Sequence, residues 1–144
     1  MTAPIAGPAG GDSDVLSLPI RGNDDVVRAR QAVRDLAQRI GLSLVDQTKL
    51  VTAASEIARN TLIHGGGGTA HMHLVAEGRR RGVRVRFVDE GPGIPDLDQA
   101  LTDGWTSGDG MGLGLSGSRR LVDQFRIDTE VGTGTEVEIV KWSR

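Results

Sequence analysis

The sequence contains no cysteine among its 144 residues. A disulfide framework, a cysteine nucleophile and a cysteine-ligated metal site are therefore excluded. Aromatic residues make up only 3% of the chain and tyrosine is absent, so the stacking platforms that bind single-stranded nucleic acid are not expected. The formal net charge of -2 also lacks the basic excess that nucleic-acid binding requires. We expect no nucleic-acid partner.

The chain also lacks long apolar segments. No apolar run approaches the roughly 20 residues that span a membrane, and residues 1–14 do not have the basic-then-apolar order of a secretory signal. We therefore expect a cytoplasmic protein without membrane association. Residues 1–14 are interpreted as a disordered tail, and residues 15–144 as a single domain, because their number suits one hydrophobic core.

Hydrophobic periodicity gives the element order β, α, α, β, β, long loop, α, β, β. Two-residue alternation predicts strands over 15–20, 69–77 and 83–89, and two more on either side of residues 132–134. Helical spacing and cap residues predict helices over 24–40, 43–64 and 113–125, with a loop over 96–110. This order predicts an α+β fold, a two-layer α/β sandwich in which helices cover one face of a mixed, mostly antiparallel sheet.

The helix predicted over 43–64 carries an unusual row of polar residues. Glu56, Asn60 and His64 recur at intervals of four, so all three lie along one helix face. A surface helix rarely needs an acid, an amide and an imidazole in such a row. Their position directly before the four glycines 65–68 indicates a functional site at the helix end.

A second glycine-rich segment, Gly112 to Gly117, fits the pattern G-x-G-x-x-G of dinucleotide-binding proteins. That pattern must follow a buried strand, whereas residues 102–111 read TDGWTSGDGM and cannot form one. The dinucleotide interpretation therefore fails. Glycines that end at a helix start still present backbone N–H groups suited to phosphate. The alternative, a flexible loop before a helix, stays open.

The segment VDEGPGIPD, residues 88–96, places Asp89 at the end of a predicted strand. A carboxylate in that position can accept a hydrogen bond from the exocyclic amine of adenine, and Gly91 and Gly93 allow the backbone to approach a flat ring. An ordinary turn with a surface acid is the alternative if Asp89 is considered alone.

Taken together, these segments resemble the Bergerat-fold (GHKL) ATP-binding family, which includes chaperones, type II topoisomerases and sensor histidine kinases. The polar row resembles its N box, DEGPG its first glycine box, GMGLGL its second and GTGT its last. Within the family, SEIARN, DEGPGIPD, GMGLGLSGSRRLVDQF and GTGTEVEIVKW are most similar to the RsbT-type serine/threonine switch kinases of bacterial stress signalling. The similarity extends from about residue 16 to residue 142.

The resemblance implies that the cofactors are ATP and Mg²⁺. Asn60 is implied to hold the Mg²⁺ that bridges the ATP phosphates, Asp89 to bond the adenine amine, and Thr135 to complete water-mediated contacts to the ring. Glycines of the two central boxes are implied to line the nucleotide beneath a lid over 96–107. They are Gly91, Gly93, Gly110, Gly112 and Gly114.

Glu56 lies one turn before Asn60 on the same face, in reach of an incoming hydroxyl, and is assigned as the general base. Its alternative role is an ion pair with Arg59 or Arg39. His64 has an alternative role as well, because an imidazolium at a helix end suits the helix dipole. The sequence leaves open whether Arg59 reaches phosphate or extends to solvent.

The resemblance implies a protein kinase that phosphorylates Ser or Thr of a STAS-domain antagonist or scaffold protein and activates a PP2C-type phosphatase. The alternative is an anti-sigma factor or an ATP-gated partner-binding module without significant kinase activity. Related anti-sigma kinases carry an arginine two residues before G-M-G, where this chain has Gly108. This departure makes a sigma-factor partner the less favoured expectation.

Overall fold

A computed structural model describes residues 13–101 and 114–143. Its strands are β1 (Ser13–Ile20), β2 (Gly68–Glu77), β3 (Arg80–Asp89), β4 (Gln124–Glu130) and β5 (Gly134–Trp142). Its helices are α1 (Asn23–Arg39), α2 (Leu44–Ile63), α3 (Leu97–Ala100) and α4 (Gly114–Leu121). The strands form one sheet in the order β1-β2-β3-β5-β4, and the core joins α1 and α2 to one face of it. The predicted α+β sandwich is confirmed.

The sheet is antiparallel at every pairing between the described strands, so the expectation of a mixed sheet was wrong. The chain crosses from β3 through α3 and α4 to β4, which runs in the same direction as β3. The hairpin that follows β4 then inserts β5 between them. Because β5 separates the two co-directional strands, no parallel ladder forms.

Three predicted boundaries moved by two residues or more. Strand β3 begins at Arg80 rather than at residue 83. The first strand begins at Ser13, two residues inside the predicted tail, while residues 1–12 lie outside the described residues. The last helix ends at Leu121 rather than at residue 125. Asp123 ends it by pairing with β5, because its N–H donates to the Val140 carbonyl at 3.0 Å and its carboxylate accepts from the Trp142 N–H at 2.7 Å. This pairing directs the chain into β4.

Helix α2 begins as predicted and positions the polar row. The Ser43 hydroxyl caps it by accepting a hydrogen bond from the Asp46 N–H at 3.1 Å. Leu50, Ile57 and Ala58 are fully buried in the core beneath the sheet. Burial of this face turns the adjacent row toward the ends of β3 and β5. Within the described ranges, no helix has the length and hydrophobicity that a membrane crossing requires.

The buried face of α2 generates a stability prediction. Leu50 is 0% exposed, whereas Leu44 on the same helix is 72% exposed. Leu50→Ala should lower the free energy of unfolding by about 2–5 kcal/mol because it leaves a cavity. Leu44→Ala is the matched control and should change the free energy by less than about 0.5 kcal/mol. Urea unfolding followed by circular dichroism measures both, and equal losses would contradict this packing.

Candidate active site

A pocket of about 200 Å³ opens between the end of α2 and the ends of β3 and β5. Five of the residues predicted from the sequence to contact ATP line it, namely Asn60, Asp89, Gly93, Gly114 and Thr135. Apolar side chains form much of the remaining wall, namely Ile57, Ile94, Ala100, Leu115 and Val137. An apolar slot with a few fixed polar groups is the usual composition of a small-molecule site.

The carboxylate of Asp89 is held by backbone groups of the loop after β3 and of the start of β5. Its Oδ1 accepts hydrogen bonds from the Gly91 N–H at 2.9 Å and from the Thr135 N–H at 3.2 Å. Oδ2 accepts no hydrogen bond from the described residues. Gly65 lies against this side of the carboxylate, where a Cβ would approach Oδ2 to 2.5 Å. Asp89 therefore presents a fixed acceptor at the pocket wall.

Thr135 lines the pocket beside Asp89 and is oriented by Thr129 of β4. The two hydroxyl oxygens are 2.8 Å apart. The Thr129 hydroxyl also accepts a hydrogen bond from the Ile94 N–H at 2.9 Å and lies 3.3 Å from the Gly134 carbonyl oxygen. One hydroxyl thus joins the loop after β3 to the turn before β5. Sequence reasoning missed Thr129, since it occupies an ordinary alternating position of a strand.

The last turn of α2 supplies two of the predicted polar groups. Asn60 lines the pocket, and its side-chain amide makes no hydrogen bond with the part of the chain that the structure describes. His64 also lines the pocket and occupies the C-cap position, where its backbone N–H donates to the Asn60 carbonyl at 2.9 Å. His64 therefore caps the end of α2 and also lines the pocket.

Glu56 does not line the pocket as the described residues form it. Its Oε1 lies 3.3 Å from Nη1 of Arg59, and its side chain is 12% exposed. The ion pair that sequence reasoning left as an alternative is therefore present. A carboxylate in an ion pair can still accept a proton from a hydroxyl that approaches along this helix face. The role of Glu56 as a general base therefore stays a prediction.

The glycines hold the loops of the site close together. A Cβ at Gly91 would lie 2.6 Å from the Gly65 carbonyl oxygen, so Gly91 allows close packing against another loop, and its approach to the nucleotide stays a prediction. Gly93 has a φ of 77° and packs on the Glu130 carbonyl. Gly114 lines the pocket at the start of α4. Gly110 and Gly112 lie outside the described residues, as do residues 102–107 of the predicted lid.

Comparison with known proteins identifies the family to which this chain belongs. Residues 22–141 match the family model described as histidine kinase-like ATPase domain. The chain belongs to this family. The resemblance to Bergerat-fold ATP-binding proteins is thereby confirmed, because the matched range contains the N box and all the glycine boxes.

The chain is similar in sequence to serine/threonine-protein kinase RsbT of Bacillus subtilis (strain 168). It is 40% identical over 120 residues, which cover 83% of this chain and 90% of that relative. Anti-sigma F factor of Clostridium beijerinckii is 29% identical over 118 residues, 78% of this chain and 82% of that relative.

One solved structure has the same fold as this chain. The crystal structure of the RsbU and RsbW domains of Rv1364c from Mycobacterium tuberculosis superposes with a TM-score of 0.61 at 22% identity. The match covers 90% of this chain and 33% of that longer chain. At this identity the likeness shows the fold alone.

The Thr129 hydroxyl generates a prediction for this site. Thr129→Val keeps the side-chain shape but removes the bonds to Thr135 and Ile94, so ATP affinity should fall roughly 2- to 10-fold. Thr129→Ser keeps the hydroxyl and should retain affinity close to that of the native chain. Isothermal titration calorimetry with ATP measures both variants. Full affinity in Thr129→Val, with the fold intact, would exclude a role for this hydroxyl in the site.

Proposed function

We propose that the protein is an ATP-dependent serine/threonine protein kinase that transfers the γ-phosphoryl group of ATP to a STAS-domain protein. The observation that carries the proposal is the pocket lined by Asn60 and Asp89. The Asn60 amide and Asp89 Oδ2 make no hydrogen bond with other described residues and are available to a ligand, whereas Asp89 Oδ1 is held by backbone N–H groups. Family membership supports ATP as the ligand. The 40% identity to a relative named serine/threonine-protein kinase supports protein phosphorylation.

The chemistry of the pocket fits adenine. Oδ2 of Asp89 is an acceptor that matches the exocyclic amine, while the Thr135 hydroxyl is a further polar group beside it. Ile94, Leu115 and Val137 provide apolar surface for the faces of the ring. Guanine carries a carbonyl in place of that amine, so Asp89 would oppose an acceptor with an acceptor and select against it.

The residues also fit a phosphate-bound Mg²⁺. Among the described residues no group of three acidic or histidine side chains could hold a metal ion by itself. Asn60 would therefore be a single protein ligand, which suits Mg²⁺ because this ion commonly takes its other ligands from substrate phosphates and water. Gly114 at the start of α4 would offer its N–H to phosphate. When bound, Mg²⁺ would offset negative charge on the phosphate oxygens.

Glu56 is the proposed general base. Its carboxylate would accept the proton of the substrate Ser or Thr hydroxyl as that oxygen bonds to the γ-phosphorus and the bond to the β-phosphate oxygen breaks. Arg59 would orient the carboxylate through the observed ion pair. Arg59 is 37% exposed and Glu56 12% exposed, and Glu56 does not line the adenine slot, so a substrate hydroxyl would reach the carboxylate from the Arg59 side.

The partners follow from the same proposal. The substrate is a STAS-domain antagonist or scaffold protein with an acceptor Ser or Thr, and release from it would allow the kinase to activate a PP2C-type phosphatase. A second candidate is an anti-sigma factor or ATP-gated binding module, which the 29% identity to an anti-sigma F factor favours. Stable co-purification with a sigma factor and no phosphoryl transfer would favour that second function.

Glu56 provides the test of catalysis. Glu56→Gln should lower the rate of γ-phosphoryl transfer to a STAS-domain protein by about 100-fold or more because the proton acceptor is lost. ATP affinity should be unchanged, since Glu56 does not line the pocket. Transfer is measured with γ-labelled Mg-ATP and purified substrate.

A matched control for Glu56 is available in the β2–β3 hairpin. Glu77 forms an ion pair with Arg80 at the same three-residue spacing but far from the pocket. Glu77→Gln should leave transfer at the native rate. A native rate in Glu56→Gln as well would remove Glu56 from the mechanism but leave ATP binding in place.

Asp89 provides the test of nucleotide recognition. Asp89→Asn can place an amide donor opposite the adenine amine and should weaken ATP binding roughly 5- to 150-fold, the cost of a mismatched buried polar group. The preference for ATP over GTP should shrink because the selective acceptor is lost. The neighbouring, exposed Glu90→Gln is the control. Competition titrations measure both, and an unchanged preference in Asp89→Asn would refute the adenine assignment.

A further inference from the structure

Arg59 stands beside the proposed base on the side away from the nucleotide pocket. An α-helix turns by about 100° per residue, so Asn60 lies about 40° from Glu56 around the axis of α2. By the same geometry, Arg59 lies about 60° from Glu56 in the opposite direction. Asn60 lines the pocket, whereas Arg59 does not. Glu56 therefore separates the group that meets the nucleotide from a partly exposed arginine.

The guanidinium of Arg59 has donors to spare. Its Nη1 donates to Oε1 of Glu56 at 3.3 Å, a longer contact than the usual charge-assisted bond of about 2.7–2.9 Å. The remaining N–H groups have no hydrogen-bond partner among the described residues. A guanidinium has five donors and no acceptor, so any group that binds the remaining ones must be an acceptor. An anion with two oxygens fits this fork best.

The position of Arg59 suits an anion on the protein substrate better than a phosphate of the nucleotide. Asn60 and Gly114, the two groups proposed to act at the phosphates, both line the pocket as the described residues form it. Neither Glu56 nor Arg59 lines it, and Arg59 is the farther of the two around the helix. A hydroxyl that reaches Glu56 from outside the pocket passes beside Arg59. The anion opposite Arg59 therefore belongs to the molecule that brings the hydroxyl.

The outward side of α2 offers such a molecule both charge and apolar surface. Its charged residues are Lys49, Glu56 and Arg59, an excess of one positive charge. Helix α1, which packs beside α2, carries four arginines and three aspartates and does not reverse this sign. Ile63 follows Arg59 at i+4 on the same side of the helix and is 50% exposed. This surface suits a partner segment that carries an acid and an apolar side chain.

We propose that Arg59 recognises a carboxylate of the protein substrate, an Asp or Glu side chain that lies beside the acceptor Ser or Thr on the folded partner. This inference rests on the proposed function, because it names the part of the substrate that meets the base. Nη1 would keep Glu56 in place while the remaining donors bind the substrate carboxylate, with the cation between the two acids. Arg59 is thus a specificity-determining residue, since a partner without the acid leaves its donors unpaired.

Binding without turnover tests this recognition. The STAS-domain protein of the transfer assay is titrated by calorimetry into the full chain loaded with a non-hydrolysable ATP analogue. Arg59→Gln should weaken this binding roughly 5- to 20-fold because a charge-assisted contact is lost. Affinity for the ATP analogue should be unchanged, since Arg59 does not line the pocket. Arg59→Lys keeps the positive charge and should retain most of the affinity for the protein substrate.

A double-mutant cycle identifies the substrate carboxylate. Each Asp or Glu near the acceptor of the STAS-domain protein is changed in turn to Asn or Gln. One of these changes should weaken binding to the native chain but have little further effect on binding to Arg59→Gln, because the two groups act as a pair. Arg80→Gln is the matched control, since Arg80 pairs with Glu77 at the same three-residue spacing in the β2–β3 hairpin. It should bind the substrate as the native chain does.

Native-strength substrate binding by Arg59→Gln, with its fold confirmed by circular dichroism, would overturn the proposal. If transfer then became slower, Arg59 would act only through its contact with Glu56. A loss of affinity for the ATP analogue would assign Arg59 to the nucleotide phosphates and would also overturn it. A native chain that binds the analogue but neither binds nor phosphorylates the STAS-domain protein would overturn the proposed function itself, and this inference with it.

Discussion

The fixed carboxylate of Asp89 is the constraint on which the site depends. It stands at the last residue of β3 and accepts backbone hydrogen bonds from both the loop after β3 and the start of β5. Because two hydrogen bonds hold Oδ1, the direction in which Oδ2 points is fixed as well. Gly65 at the end of α2 must remain without a side chain for this arrangement to exist. Three separate parts of the chain thus meet on one side chain.

Helix α2 connects this constraint to the hydrophobic core. Its buried face, with Leu50 and Ile57, sets the rotation of the helix against the sheet. That rotation brings Asn60 and His64 to the pocket and leaves Glu56 paired with Arg59 nearer the surface. Packing energy therefore fixes the orientation of the polar row, and the row does not need contacts of its own to be held in place.

The two faces of the sheet serve different purposes. One face packs on the helices and, at the ends of β3 and β5, forms the wall of the pocket. The other carries its own apolar cluster and a set of buried polar atoms at the opposite end of the strands. Because side chains alternate along each strand, substitutions on one face leave the other largely unaffected. The nucleotide site and the face of the sheet opposite the helices can therefore be altered independently.

Local patterns in the sequence were sufficient for the order of the elements except α3, which lies inside the predicted loop, and for the start of α2 at Ser43. They were also sufficient for the shared face of Glu56, Asn60 and His64 and for the place of Asp89 at a strand end. Periodicity and caps depend on neighbours a few residues away, so they can be read without the fold. Tertiary structure decided the rest, because the partners are distant in sequence. The insertion of β5 beside β3 made the sheet antiparallel, and the Asp123 pairing with β5 ended α4. The contacts of Gly65 with Asp89 and of Thr129 with Thr135 exist only because separate loops converge at the end of the sheet.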